Sequence, residues 1–205
     1  MVIGFISTAV VVTLCIWFYD RLLAIYISNL LFTNSTWRRY TADIPDTLLL
    51  TVCVTTVFAY IIYRIRSKKK LFNIHTEFFH LIMYAVPASF AAKSFLKFIF
   101  GRTNTREWLL QPELYGFHWF QGVGLKAGFP SGHMAVFTAL ATSLWRFYPR
   151  YRIVYSIFLL TLAVALIATN YHFLSDVIAG AYLGVVVEVR AFKLLGCQRI
   201  KGLHG

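Results

Sequence analysis

The sequence predicts an all-α fold: an integral membrane bundle of six transmembrane helices making a single domain over residues 1–205. Three observations carry that prediction. First, 59% of the residues are hydrophobic and 14% charged, with a mean hydropathy of +0.65, whereas soluble domains carry roughly 25% charged residues. Second, apolar runs recur at about residues 2–19, 47–63, 78–100, 131–147, 153–169 and 173–189, lengths suited to crossing ~30 Å of hydrocarbon. Third, the basic residues gather in alternate connections rather than along the whole chain.

Taken in order, residues 2–19 are nearly uncharged and lack the basic start and small-residue cleavage site of a signal peptide, so they read as an uncleaved span. Asp20 and Arg21 are expected to end it, and residues 22–32, interrupted by Ser28 and Asn29, to lie along the interface. Trp37 and Tyr40 in the polar stretch that follows suit headgroup-level anchoring. The second span stops at the basic run from Arg64 to Lys70, and the third carries Lys93 and Lys97 in its final turns. Residues 101–129 form the longest loop, with an aromatic patch at 117–120 that reads as an interfacial belt. Pro149, among Arg146, Arg150 and Arg152, separates the fourth span from the fifth. His75 and His80 flank Glu77 at a spacing that makes no convincing metal set and reads as solvated surface, and His204 is a tail residue to which no function attaches from the sequence.

Six alternating spans place the loops after the second and fourth on the side of both termini. That side holds Arg64, Arg66, Lys68, Lys69, Lys70, Arg146, Arg150, Arg152, Arg190, Lys193, Arg199 and Lys201, which makes it cytoplasmic. The formal net charge of +12 is thereby accounted for by topology and an anion site, and no nucleic-acid partner is needed. Cys15, Cys53 and Cys197 show no CxxC and no neighbouring histidines, so neither a disulfide framework nor a metal site is expected.

The chemistry-bearing stretches converge on the opposite, non-cytoplasmic face. Residues 128–133 read Gly-Phe-Pro-Ser-Gly-His and run straight into the fourth span. Ser131 is a good N-cap, Gly132 allows close approach to the backbone, and a helix N-terminus offers free amides and a positive dipole end to an anion. His133 follows in the first turn. One hairpin later His172 and Asp176 stand four apart, so the carboxylate can fix the imidazole tautomer from the same helical face. Two histidines, one backed by a carboxylate and one beside an anion cradle, point to phosphoryl transfer through a phospho-histidine.

These residues resemble the type 2 phosphatidic acid phosphatase superfamily, the membrane lipid phosphate phosphatases. The family has three blocks: Lys-x6-Arg-Pro, Pro-Ser-Gly-His and Ser-Arg-x5-His-x3-Asp. The second is complete at Pro130, Ser131, Gly132 and His133, the third keeps His172 and Asp176, and the first begins at Lys97. Two positions depart: Asn104 and Thr105 replace Arg-Pro, and Ala165 and Leu166 replace Ser-Arg. Arg102 and Arg106 flank the first vacancy and are the candidates to fill it, with Lys93 one helical turn before Lys97; nothing obvious replaces the second arginine.

The resemblance implies that His172 attacks phosphorus while Asp176 keeps its far nitrogen protonated, and that His133 protonates the leaving alkoxide and then activates water. It implies that Lys97, Arg102, Arg106, Ser131 and Gly132 bind the phosphate oxygens, with no metal and no cofactor. The expected partner is a membrane-embedded lipid phosphate, and the expected location is a cytoplasmic membrane with a periplasm-facing site if the source is bacterial. Two rivals stay open: a phosphotransferase in which a hydroxyl replaces water, and a catalytically silent phospholipid-binding membrane protein. For His172 and Asp176 the alternative role is a buried pair joining two helices; for Lys97 it is a snorkelling interfacial lysine.

Overall fold

The computed structural model describes residues 2–31, 44–71 and 73–196, and the described residues are helical apart from turns and loops. The helices are α1 (Val2–Leu14), α2 (Asp20–Leu31), α3 (Ile44–Lys68), α4 (Ile74–Phe100), the short α5 (Thr105–Leu110), α6 (Gly132–Phe147), α7 (Arg152–Ala168) and α8 (Leu174–Leu194). Four helical stretches among the described residues are long and apolar enough to cross a membrane: Val2–Leu30, Thr47–Lys68, Ile74–Phe100 and Pro149–Ala168. The expected fourth and sixth crossings correspond to α6 and α8, which fall outside that set. α6 has 16 residues, and α8 carries Asp176, Glu188, Arg190 and Lys193. Trp37, Tyr40, Cys197, Arg199, Lys201 and His204 lie outside the described residues.

The first helix departs from expectation. Asp20 does not end it: a π-helical turn at Cys15–Tyr19 joins α1 to α2 without a break. The cause is a change of register. The inward-facing positions run Gly4, Thr8, Val12, Ile16 with Cys15 beside it, Asp20 and Ala24, a spacing near four residues that a 3.6-residue helix cannot hold on one face. The wider turn supplies the missing rotation and points Asp20 into the protein. Within this turn the Ile16 carbonyl accepts a 3.0 Å hydrogen bond from the Tyr115 hydroxyl.

The centre of the bundle is α4, α6 and α8, with α3 against α4, α7 against α6 and α1 against α8. The most extensive contact, α6 on α8, is set by two glycines one turn apart. A Cβ at Gly180 would stand 2.4 Å from the Ser131 carbonyl oxygen, and one at Gly184 would stand 2.4 Å from that of Ala135. Small residues at this spacing let helix backbones approach where lipid gives no hydrophobic drive. Far along the same pair, Arg146 forms a bidentate clamp on Glu188 at 2.6 and 2.9 Å. A second core joins α3 to α4 through Leu48, Val52, Ala59, Leu81, Ala85 and Val86.

The loop from Gly101 to Ser131 is tied down along its length. Arg102 pairs with Phe117 in an isolated antiparallel bridge, the Gly128 amide donates to the Arg102 carbonyl at 2.8 Å, and the Asn104 amide donates to that of Leu125 at 2.9 Å. Phe117 and Trp119 pack on Phe100, yet Trp119 and Phe120 are both exposed while Phe117 is half-buried, so part of the aromatic patch faces outward. His75 is exposed, as expected of a surface residue, and His80 is half-buried; both also contact aromatic side chains. His75 Nδ1 is 2.6 Å from the Tyr148 hydroxyl, and the His80 ring stacks on Tyr63 at 4.6 Å.

Candidate active site

The site is built where four segments meet: the end of α4, the loop after it, the start of α6, and the turn leading into α8. Ser131 caps α6, its hydroxyl oxygen accepting the Met134 amide at 3.5 Å, and its own amide donates to the Asp176 carbonyl at 3.0 Å. That last bond joins the two motifs directly. His133 sits in the first turn of α6, buried, with its ring edge-on to Tyr171 at 5.8 Å. Tyr171 also meets His172 edge-on at 5.1 Å, so one aromatic ring touches both imidazoles.

The turn before α8 is shaped by the backbone of Leu166, whose carbonyl accepts the amides of Tyr171 and His172 at 3.0 and 3.2 Å. Asp176 then caps its own helix, Oδ2 accepting the Phe173 amide at 3.1 Å. The same oxygen lies 3.6 Å from His172 Nδ1, a charge contact longer than a formed hydrogen bond. Lys97 donates to the Ala127 carbonyl and stands near His172, and the Lys93 stem lies against Gly132 with its ammonium 3.9 Å over the Phe90 ring.

Arg102 takes up a position its sequence context did not announce. Its guanidinium is 1% exposed and donates to Asp176 Oδ1 at 2.5 Å, to Ser175 Oγ at 2.6 Å and to Asp20 Oδ2 at 2.7 Å. It lies behind the His172 turn, held by two carboxylates. Burial works against its charge, but Asp176 and Asp20 outweigh that cost and raise its pKa above the ordinary value. Arg106, on α5, donates to the Thr169 carbonyl at 3.0 Å and covers the Tyr171 ring at 5.3 Å. Ser131, Gly132, His133, His172, Asp176 and Lys97 are thus brought together. Arg102 joins them from behind through Asp176, and Arg106 from the side through Tyr171.

Burial pushes the His172 imidazole below its ordinary pKa; Asp176 pulls the other way, and Lys97 adds to the depression. The neutral ring, which carries a free lone pair, is therefore the favoured form.

A family model described as the PAP2 superfamily matches residues 77–198, more than half of the chain. The chain belongs to the PAP2 superfamily. Searches of curated proteins and of solved structures returned no match. Membership of the PAP2 superfamily supports phosphatase-type activity on phosphate esters. The match begins near the start of α4 and takes in every segment that lines the site except the first helix, which contributes Asp20 from outside it. Asn104, at one of the PAP2 arginine positions, precedes α5 and reaches the Gly124 carbonyl at 3.4 Å. Leu166, at the other, is buried with Met134 and Val177.

Sequence reasoning passed over Asp20, Tyr171 and Ser175. For Asp20 the available signal was a carboxylate, next to Arg21, inside a 29-residue helical run of high hydropathy, which is a functional hypothesis by default in a membrane segment.

Proposed function

We propose that this protein is a membrane phosphatase that hydrolyses a phosphomonoester or pyrophosphate of a lipid through a phospho-histidine intermediate. The observation that carries the reading is the hydrogen bond from the Ser131 amide to the Asp176 carbonyl, which ties the start of α6, where His133 sits, to the first turn of α8, just after His172. His172 Nε2 attacks phosphorus and the bond to the lipid oxygen breaks, with His133 giving that oxygen its proton. Water then attacks the phospho-histidine, His133 takes a proton from it, and inorganic phosphate leaves as His172 is restored. Lys97, the α6 amide of Gly132 and the Ser131 hydroxyl stabilise the phosphoryl oxygens. Arg106 is the arginine placed to assist them from above Tyr171. Arg102, engaged by two carboxylates, is assigned to holding Asp176 instead of binding phosphate.

A lipid substrate is supported by an apolar groove of about 680 Å³ that passes Phe5, Val12, Leu96 and Leu183 and reaches Phe129 and Pro130, next to Ser131. On a layout of six crossings, with α6 and α8 added to the four long apolar helices, the basic helix ends lie at the cytoplasmic surface and the site at the other, facing the periplasm of a bacterium. The deep burial of His172 and His133 favours one second reading, in which a lipid or sugar hydroxyl replaces water and the protein is a phosphotransferase.

The test is phosphate release by detergent-purified protein from a panel of lipid phosphates, beside His172→Ala. Release that vanishes in the variant supports the hydrolase. A phosphorylated acceptor without free phosphate moves the assignment to phosphotransfer. Inactivity of both proteins with water and with acceptors leaves phospholipid binding without catalysis.

A further inference from the structure

The carboxylate of Asp20 is 1% exposed and fully bonded. Oδ2 accepts Arg102 at 2.7 Å and contacts the Ser175 hydroxyl, and Oδ1 accepts the Ser175 amide at 3.0 Å. Through Arg102 it is one side chain removed from Asp176, and Asp176 is the carboxylate beside His172. Buried charges of this kind are retained against a desolvation cost, and here a π-helical turn is used to aim one of them.

The charges matter more than the contacts. Arg102 alone would cancel Asp176 and leave the ring of His172 with no net negative charge behind it. With Asp20 present, two carboxylates face one guanidinium, and the cluster stays at minus one. Among the described residues, the other charged or titratable groups facing His172 or this cluster include Lys97 and Lys93 on α4, His133 on α6, Arg106 on α5, Tyr171 beside the ring, and Tyr115 with Arg21 beside Arg102 and Asp20. Most of them are basic, so the cluster is the local source of negative potential. We propose that Asp20 is a positioning residue that preserves the negative charge of Asp176 toward His172 and so sustains the basicity of the attacking imidazole. This rests on the assignment of His172 as nucleophile.

The experiment follows the His172 imidazole by NMR in the full-length protein, labelled with ¹⁵N-histidine in detergent and assigned with His172→Gln. Asp20→Asn keeps the shape and removes the charge; it is expected to lower the titration midpoint of His172 by about one pH unit. Asp20→Glu keeps the midpoint near wild type. Removing both charges in Asp20→Asn/Arg102→Gln returns it toward wild type, whereas Arg102→Gln alone raises it. A folded Asp20→Asn protein with an unmoved midpoint overturns the proposal. Should Asp20→Asn not fold, Arg102→Gln is compared with the double variant: a higher midpoint in Arg102→Gln supports the proposal and coincidence overturns it. Phosphate release is measured in parallel. A shifted midpoint in a protein that releases no phosphate sinks the phosphatase reading while leaving the charge link standing; release with an unmoved midpoint does the reverse.

Discussion

The amide of Ser131 donates to the carbonyl of Asp176 at 3.0 Å, although the two residues belong to different helices and different motifs. The bond requires α6 and α8 to touch backbone to backbone, and Gly180 makes that possible. Its missing side chain leaves the space in which the Ser131 carbonyl lies. Site geometry and helix packing are therefore one feature of this protein.

Gly180→Ala tests that coupling. The added methyl would stand 2.4 Å from the Ser131 oxygen, so the helices must part. Expected results are a loss of about 1–3 kcal/mol in stability and at least a tenfold fall in phosphate release. Gly4→Ala is the control, because its Cβ meets nothing nearer than 3.8 Å. Thermal melts and phosphate release on both variants decide the matter.

The depressed pKa of His172 fixes a pH dependence. The folded ring gives up its proton below the ordinary value near 6.5, while the unfolded chain still binds it there. In that window the unfolded state holds more protons, so stability rises with pH. The stabilising contribution is present above about 6.5 and lost as pH falls through the folded pKa. Phosphate release should keep its plateau below 6.5 on the acid side, and denaturant midpoints should fall over the same interval. A plateau ending above 6.5 would contradict the assignment.

The two positions without the family arginines should respond differently to restoration. Asn104 is only partly buried and lies at a helix start, so Asn104→Arg is expected to fold and to lower KM severalfold. Leu166 is 4% exposed within an apolar cluster. Leu166→Arg is therefore expected to destabilise the protein by about 3 kcal/mol or more. Equal tolerance of the two changes, read by melting and steady-state kinetics, would refute the distinction.

Arg146→Ala isolates a structural ion pair at the opposite end of the same helix pair. It leaves Glu188, 1% exposed, without its bidentate partner and removes the cation stacked 4.0 Å from Phe192. About 2 kcal/mol of stability should be lost, less than for a fully buried pair because Arg146 is 28% exposed. Phosphate release per folded molecule should stay within about twofold of wild type, since the change is remote from the site.

Much of the site could be read from the chain because its signals are local. Ser131 was legible as an N-cap from the residues around it, and the spacing of His172 and Asp176 placed them on one turn. Lys97 was legible through the family's first block, which begins there, since position alone near the end of an apolar run also suits a snorkelling lysine. Arg102 was legible as a site residue, but its partners were not, since they come from positions 82 and 74 residues away in sequence. Asp20 was misread as the end of a span for the same reason: a charged residue interrupting an apolar run looks like a boundary until its partner is known.

The sequence by itself determined the helical, membrane-adapted class, the order of the motifs and the helix cap that starts the site. These follow from composition, periodicity and spacing, which act over a few residues. Only the tertiary structure decided that a π-helical turn aims Asp20 inward, that Arg102 is shared between two carboxylates, and that Gly180 lets Ser131 reach Asp176. Each of these depends on which distant segments share a buried, low-dielectric space, where charges must find partners and backbones can meet only across glycine.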